Sequence, residues 1–116
     1  RNLSRRNIHK KEFDLETVKR LEEMVAAVDR AYESMIENLN AAYKCELENI
    51  ANAYNAEDRI NNLRNYLRDA EIEALESDRK NYQTSVYYMD IVSELEKMGD
   101  FIINISQNLE KVFVKR

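Results

Sequence analysis

The chain has 116 residues, no proline, a single glycine and a formal net charge of −4. Sheet-rich folds need many tight turns, and tight turns favour Gly and Pro, so this composition points to one domain of a few long helices. The interleaved charges argue against broad nucleic-acid binding. One cysteine and one histidine, far apart in the chain, exclude a nucleophilic triad.

Residues 1–11 contain Arg1, Arg5, Arg6, Lys10 and Lys11 and no acid. They read as a basic N-terminal segment or linker. It is either a solvated helix start or a stretch beneath a membrane on the cytoplasmic side, where Lys and Arg accumulate. His9 lies there with no partner group near it in sequence, so it carries no metal or catalytic role. The remaining residues, 12–116, form the domain. No apolar run approaches the ~20 residues of a membrane span. The chain does not begin with Met, and it reads as a piece of something longer.

The first helix is expected over 12–40. Val18, Leu21, Val25, Val28, Tyr32, Met35 and Leu39 follow 3,4 spacing, with Ile36 beside them. Asp14 and Glu16 suit its N-terminus, where acids complement the helix dipole. Asp29, Glu33 and Glu37 form an acidic line on the wet face. A break is expected within Asn38-Leu39-Asn40-Ala41-Ala42, because Asn is a poor helix former and tolerates turns. Cys45, just beyond, reads as a small buried or semi-buried residue in a reducing compartment.

The second helix is expected over 44–77. Its seam is Ile50, Ala53, Ile60, Leu63, Leu67, Ala70 and Ala74, with Glu57 at a near-seam position. Asn61, Arg64 and Arg68 continue as a polar stripe beside it. The polar run Ser77-Asp78-Arg79-Lys80-Asn81 marks the second break.

The third helix is expected over 84–115, ending on Lys111, Lys115 and Arg116, which suit the C-terminal dipole. Ile91, Leu95, Met98, Ile102, Ile105, Leu109 and Val112 form its expected seam. A second apolar set, Met89, Val92 and Ile103, lies off that seam together with Gly99, the chain's only glycine. That face reads as a self-association surface, because a glycine among apolar residues permits close backbone approach. Glu96 and Asp100 lie one helical turn apart on the same face, roughly 150–170° from the seam centre. Tyr82, Tyr87 and Tyr88 crowd the start of this helix and read as core packing near the hairpin.

Together these elements predict an all-α, antiparallel up-down-up three-helix bundle with packing angles near ~+20°. With the second turn centred near residue 80, Glu57 and Asn61 fall close to the level of Glu96 and Asp100, offset by ~4–5 Å. Four oxygen-bearing side chains at one level make a candidate site for a hard cation, divalent or ferric. The phase of the two pairs differs, so a second protomer could be needed to complete it. There is no Gly-rich phosphate loop, Walker lysine, CxxC or HExxH pattern. The chain therefore does not read as an enzyme.

At Glu94-Leu95-Glu96-Lys97-Met98-Gly99-Asp100, followed by Asn104-Ile105, the sequence resembles the PhoU family, with its Leu-Glu-Arg-Ile-Gly-Asp stretch followed by Asn-Ile. Lys97 and Met98 are conservative replacements. Upstream, Glu57-Asp58-Arg59-Ile60-Asn61, with Leu63 and Arg64, resembles the family's other acidic motif. Tyr88-Met89-Asp90-Ile91 and Ile60-Asn61-Asn62-Leu63-Arg64 look closest to the PhoU-like domain at the C-terminus of bacterial sodium/phosphate cotransporters. The likeness spans about Phe13 to Val112.

The resemblance implies a three-helix unit linked to phosphate transport or its regulation. It also implies metal clusters in some members, held by acid-x-x-x-acid pairs. Those carry over to Glu96 and Asp100 and to Glu57, with Asn61 standing where the pattern has an acid. Full PhoU proteins hold two such units, so a homodimer would supply the second. The expected role is a regulatory domain on the cytoplasmic side of the bacterial inner membrane. Its partner would be the transmembrane transporter portion of the same full-length chain, with no nucleic acid and no small-molecule substrate. The alternatives are a stand-alone phosphate-signalling adaptor of the PhoU type and a purely structural helical dimerisation module.

Overall fold

The computed structural model describes residues 15–77 and 82–114; the basic segment 1–11 lies outside them. Three helices account for nearly all of it: α1 (Leu15–Tyr43), α2 (Ala51–Glu76) and α3 (Tyr82–Phe113). There is no strand among the described residues. Each helix packs on the other two, which makes the predicted three-helix bundle.

The first break falls later than expected. α1 runs through Asn38 and stops only after Tyr43. Asn38 does not open a turn because its amide is buried and bonded to the two other helices, which compensates for its low helix propensity. The stop itself is a Schellman motif. Glu46 N–H donates to Ala41 C=O at 2.7 Å and Cys45 N–H donates to Ala42 C=O at 3.0 Å. The motif needs a left-handed residue between them, and Cys45 supplies it with φ of 60°. Cys45 is exposed, not buried as its residue type suggested, because the αL cap position projects into solvent. Residues 46–50 are irregular, and buried Ile50 pins them to the bundle before α2 begins.

The core is built from Met24, Ala27, Val28, Ala31 and Met35 of α1, Ile60 and Leu67 of α2, and Tyr88, Val92 and Ile102 of α3. Only α2 buries the seam its sequence predicts. On α1 and α3 the buried stripe is rotated by roughly 80–90° from the expected one. The columns at the centre of those two faces are Thr17, Met24, Ala31, Asn38 and Ser85, Val92, Gly99, Ser106, and all eight residues are buried. They follow a period of seven, but they are mostly small or polar. Small side chains let the helices approach closely, and the larger apolar columns are left outside. A Cβ on Gly99 would lie 2.8 Å from Ile60 Cδ1, so the glycine makes room for α2 inside the protomer.

Candidate functional site

The two acidic motifs meet where α2 faces α3. Arg64 of α2 forms an ion pair through Nη1 with the Glu96 carboxylate of α3. Both side chains are about one-fifth exposed, at 22% and 21%. The other edge of the guanidinium is held as well: Nε and Nη2 donate to Asn65 Oδ1 at 3.3 and 3.2 Å. One turn away, Ile60 packs on Gly99. These pairs place the α2 and α3 motifs at one level, as an antiparallel hairpin centred near residue 80 requires.

The four oxygen-bearing side chains reach that level without converging. Glu57 and Asn61 are half-buried, Glu96 is taken by Arg64, and Asp100 is exposed. Among the described residues no group of three or more His, Cys, Asp or Glu side chains could hold a metal ion. Asn61 brings no negative charge. The guanidinium of Arg64 already supplies the positive charge that a cation would bring to Glu96. This donor set does not fit a multi-acid metal centre. Arg64 reads from sequence as part of a polar stripe, either a solvated flank or a polar site beside the core; its carboxylate partner shows only once α3 is placed opposite it.

The expected self-association face needs a correction. Val92, Gly99 and Ile103 are buried within the protomer and Met89 is half-buried against its core. They face α2, because the column Glu96, Ile103, Glu110 meets it: Glu96 through Arg64, and Glu110 as acceptor from Tyr54 Oη at 3.2 Å. The apolar character of this face serves the bundle itself.

Two polar layers flank the ion pair. Near the α1–α2 connection, Asn38 Nδ2 donates to Asn52 Oδ1 and to Ser106 Oγ, both at 3.1 Å, and so ties all three helices with one amide. Asn52 Nδ2 continues to Glu37 Oε1 at 3.3 Å. At the other end, Glu71 is 1% exposed and accepts from Ser85 Oγ. Tyr88 lies beside it, fully buried, with its phenol pushed up to about 12. Burial is the main cause; the Glu71 and Tyr66 charges add to it and Arg20 opposes it. The sequence signal for both layers is a polar or small residue recurring every seven positions among apolar ones. Near the first layer, Tyr54, Asn104, Gln107, Asn108, Glu110 and Lys111 line an open depression of about 510 Å³.

This arrangement offers polar specificity and a fixed ion pair. Cys45 is exposed at a helix cap, and His9 lies outside the described residues. No helix among the described residues is long and apolar enough to cross a membrane.

The sequence model of the PhoU domain matches residues 30–109. No curated protein and no solved structure matches the chain. The matched span includes both acidic motifs, the Arg64–Glu96 pair and the Asn38 layer, and it covers well over half of the 116 residues; the chain belongs to the PhoU domain family.

Proposed function

We propose that this chain is the cytoplasmic regulatory domain of a sodium/phosphate cotransporter, and that it modulates phosphate transport without carrying phosphate itself. Membership of the PhoU family supports phosphate-related regulation. The observation that supports the reading is that the α2 stretch resembling the cotransporter-type domain meets the family's acidic motif on α3. Ile60 and Arg64, from Ile60-Asn61-Asn62-Leu63-Arg64, touch Gly99 and Glu96 of Glu94-Leu95-Glu96-Lys97-Met98-Gly99-Asp100. A rigid α2–α3 hairpin locked this way suits relaying a signal to an attached membrane portion better than it suits catalysis.

The test is sodium-driven phosphate uptake in cells carrying the full gene, with and without the coding sequence for residues 15–113. Uptake should persist in the deletion and lose its response to phosphate supply. Uptake with an intact response, or a reading frame upstream of Arg1 without several apolar spans of ~20 residues, would contradict the proposal. The second result would leave a stand-alone adaptor of the same family.

A further inference from the structure

The groove between α1 and α2 lies away from the Arg64–Glu96 pair and holds two arginines that the site does not use. Arg30 of α1 and Arg59 of α2 line the same two hollows, of about 250 and about 310 Å³, with Ala27 shared between them. The α2 wall is Asn52, Asn55, Ala56 and Arg59, which fall on one helical face at i, i+3, i+4 and i+7. The α1 wall is Ala27, Arg30 and Ser34, at i, i+3 and i+7.

Neither guanidinium takes part in an ion pair or a hydrogen bond among the described residues, whereas Arg20 and Arg64 each hold a glutamate. The chain has 22 acids to 18 Lys and Arg, so this lack of partners is local. The positions three and four residues from Arg59 are Asn55, Ala56, Asn62 and Leu63, with no acid among them. Around Arg30 they are Ala26, Ala27, Glu33 and Ser34, and Glu33 makes no pair with it. Asp29 and Asp58 are sequence neighbours, and neighbours on a helix point ~100° apart. On the Arg30 face the next acids are Glu23 and Glu37, each roughly 10 Å along the helix. That is about a Debye length at physiological salt, and Glu37 is already bonded to the Asn52 amide.

We propose that this groove binds a dianionic tetrahedral oxyanion, a phosphate group. Two cations on one small hollow repel each other, and a dianion between them removes that repulsion. Each guanidinium offers a planar fork that takes two oxygens at once. A tetrahedral anion has oxygens for both walls, which a carboxylate with two oxygens does not. Ser34 and Asn55 line the same hollow and add neutral donors. Its floor is Ala27 and Ala56, small side chains that leave space, and no aromatic or large apolar group lines it. The occupant is therefore small and held by polar contacts. Taken with the proposed role in phosphate transport, the bound anion is a signal and not cargo. Binding is measured on this chain alone, so its failure leaves the uptake test untouched.

The test is an amide NMR titration of the chain with inorganic phosphate, against chloride at matched ionic strength. Shifts should saturate with phosphate only and concentrate on the two walls, residues 26–34 and 52–59. Arg30→Gln and Arg59→Gln each change an exposed side chain, so the helices should stay intact by circular dichroism. Each should weaken binding about tenfold or more, the scale of a lost charge-assisted bond. Arg68→Gln, exposed on α2 and outside both hollows, removes the same charge and should leave the affinity unchanged. Phosphatidylcholine vesicles containing phosphatidic acid test the other source of this chemistry. Cosedimentation lost in Arg30→Gln and Arg59→Gln, without binding of the free ion, assigns the groove to a lipid phosphate. Failure to bind either form overturns the proposal. Equal weakening by all three substitutions also overturns it, in favour of diffuse surface charge.

Discussion

Replacing Asn38 with Leu removes a side chain that touches both other helices through hydrogen bonds. Two bonds are lost, each worth about 1 kcal/mol net. The larger cost falls on Ser106, whose hydroxyl is 1% exposed and loses the amide donor. Leaving such a group unsatisfied costs about 1–3 kcal/mol. Asn52 is half-buried and finds water in exchange. Leu gains about 0.5 kcal/mol of helix propensity over Asn. The sum is about 2.5–4.5 kcal/mol of destabilisation. For a domain of this size that lowers Tm by roughly 10–20 °C. Adding Ser106→Ala removes the stranded hydroxyl as well, and replacing both partners with apolar groups is close to neutral. The double variant should therefore be more stable than Asn38→Leu alone, with a coupling of at least ~1 kcal/mol in a thermal or urea double-mutant cycle. Simple additivity of the two changes would refute the claim that this amide is a three-helix tie.

Two further outcomes follow from single residues. Cys45→Gly relieves an αL conformation that costs a non-glycine residue about 1–2 kcal/mol, against about 0.5–1 kcal/mol of extra unfolded-state entropy. Urea unfolding should show a net gain of about 0.5–1 kcal/mol, and a loss would contradict the Schellman assignment. Tyr88 has its phenol raised from 10.0 to about 12, so the unfolded chain gives up that proton first. Its contribution to stability is complete below pH 10 and is lost as pH rises towards 12. Melting curves over that range should fall less steeply for Tyr88→Phe than for the parent, and an identical pH dependence would mean the phenol is not shielded.

The legible part of the fold was its count of elements and the hairpin register. The polar run after Glu76 and the 3,4 spacing placed three antiparallel helices, and a turn centred near residue 80 set Glu57 and Asn61 level with Glu96 and Asp100. The helix phase was legible only on α2, which has one apolar face. α1 and α3 each have two, and counting apolar residues favours the wrong one. The face that closes the bundle is built on Thr17, Ala31, Ser85, Gly99 and Ser106, small residues whose value is close approach and not hydrophobic area. Once the phase moved, Val92, Gly99 and Ile103 passed from a presumed surface to the core. The partner of Arg64 was not legible for a related reason. A cation beside a seam looks solvated until the opposite helix brings it a carboxylate.

Arg64 neutralises Glu96 where α2 faces α3. The direct measurement is Tm of the chelator-treated chain, with and without iron, manganese, zinc or magnesium, for the parent and for Arg64→Ala. A ligand that binds only the folded state raises Tm by mass action. The ion pair predicts an unmoved Tm for the parent with all four metals. It also predicts a lower Tm for Arg64→Ala, since a partly buried carboxylate is left without its partner. A parent Tm that rises by several degrees with any of these metals, and loses that rise in Asp100→Asn, would contradict the account.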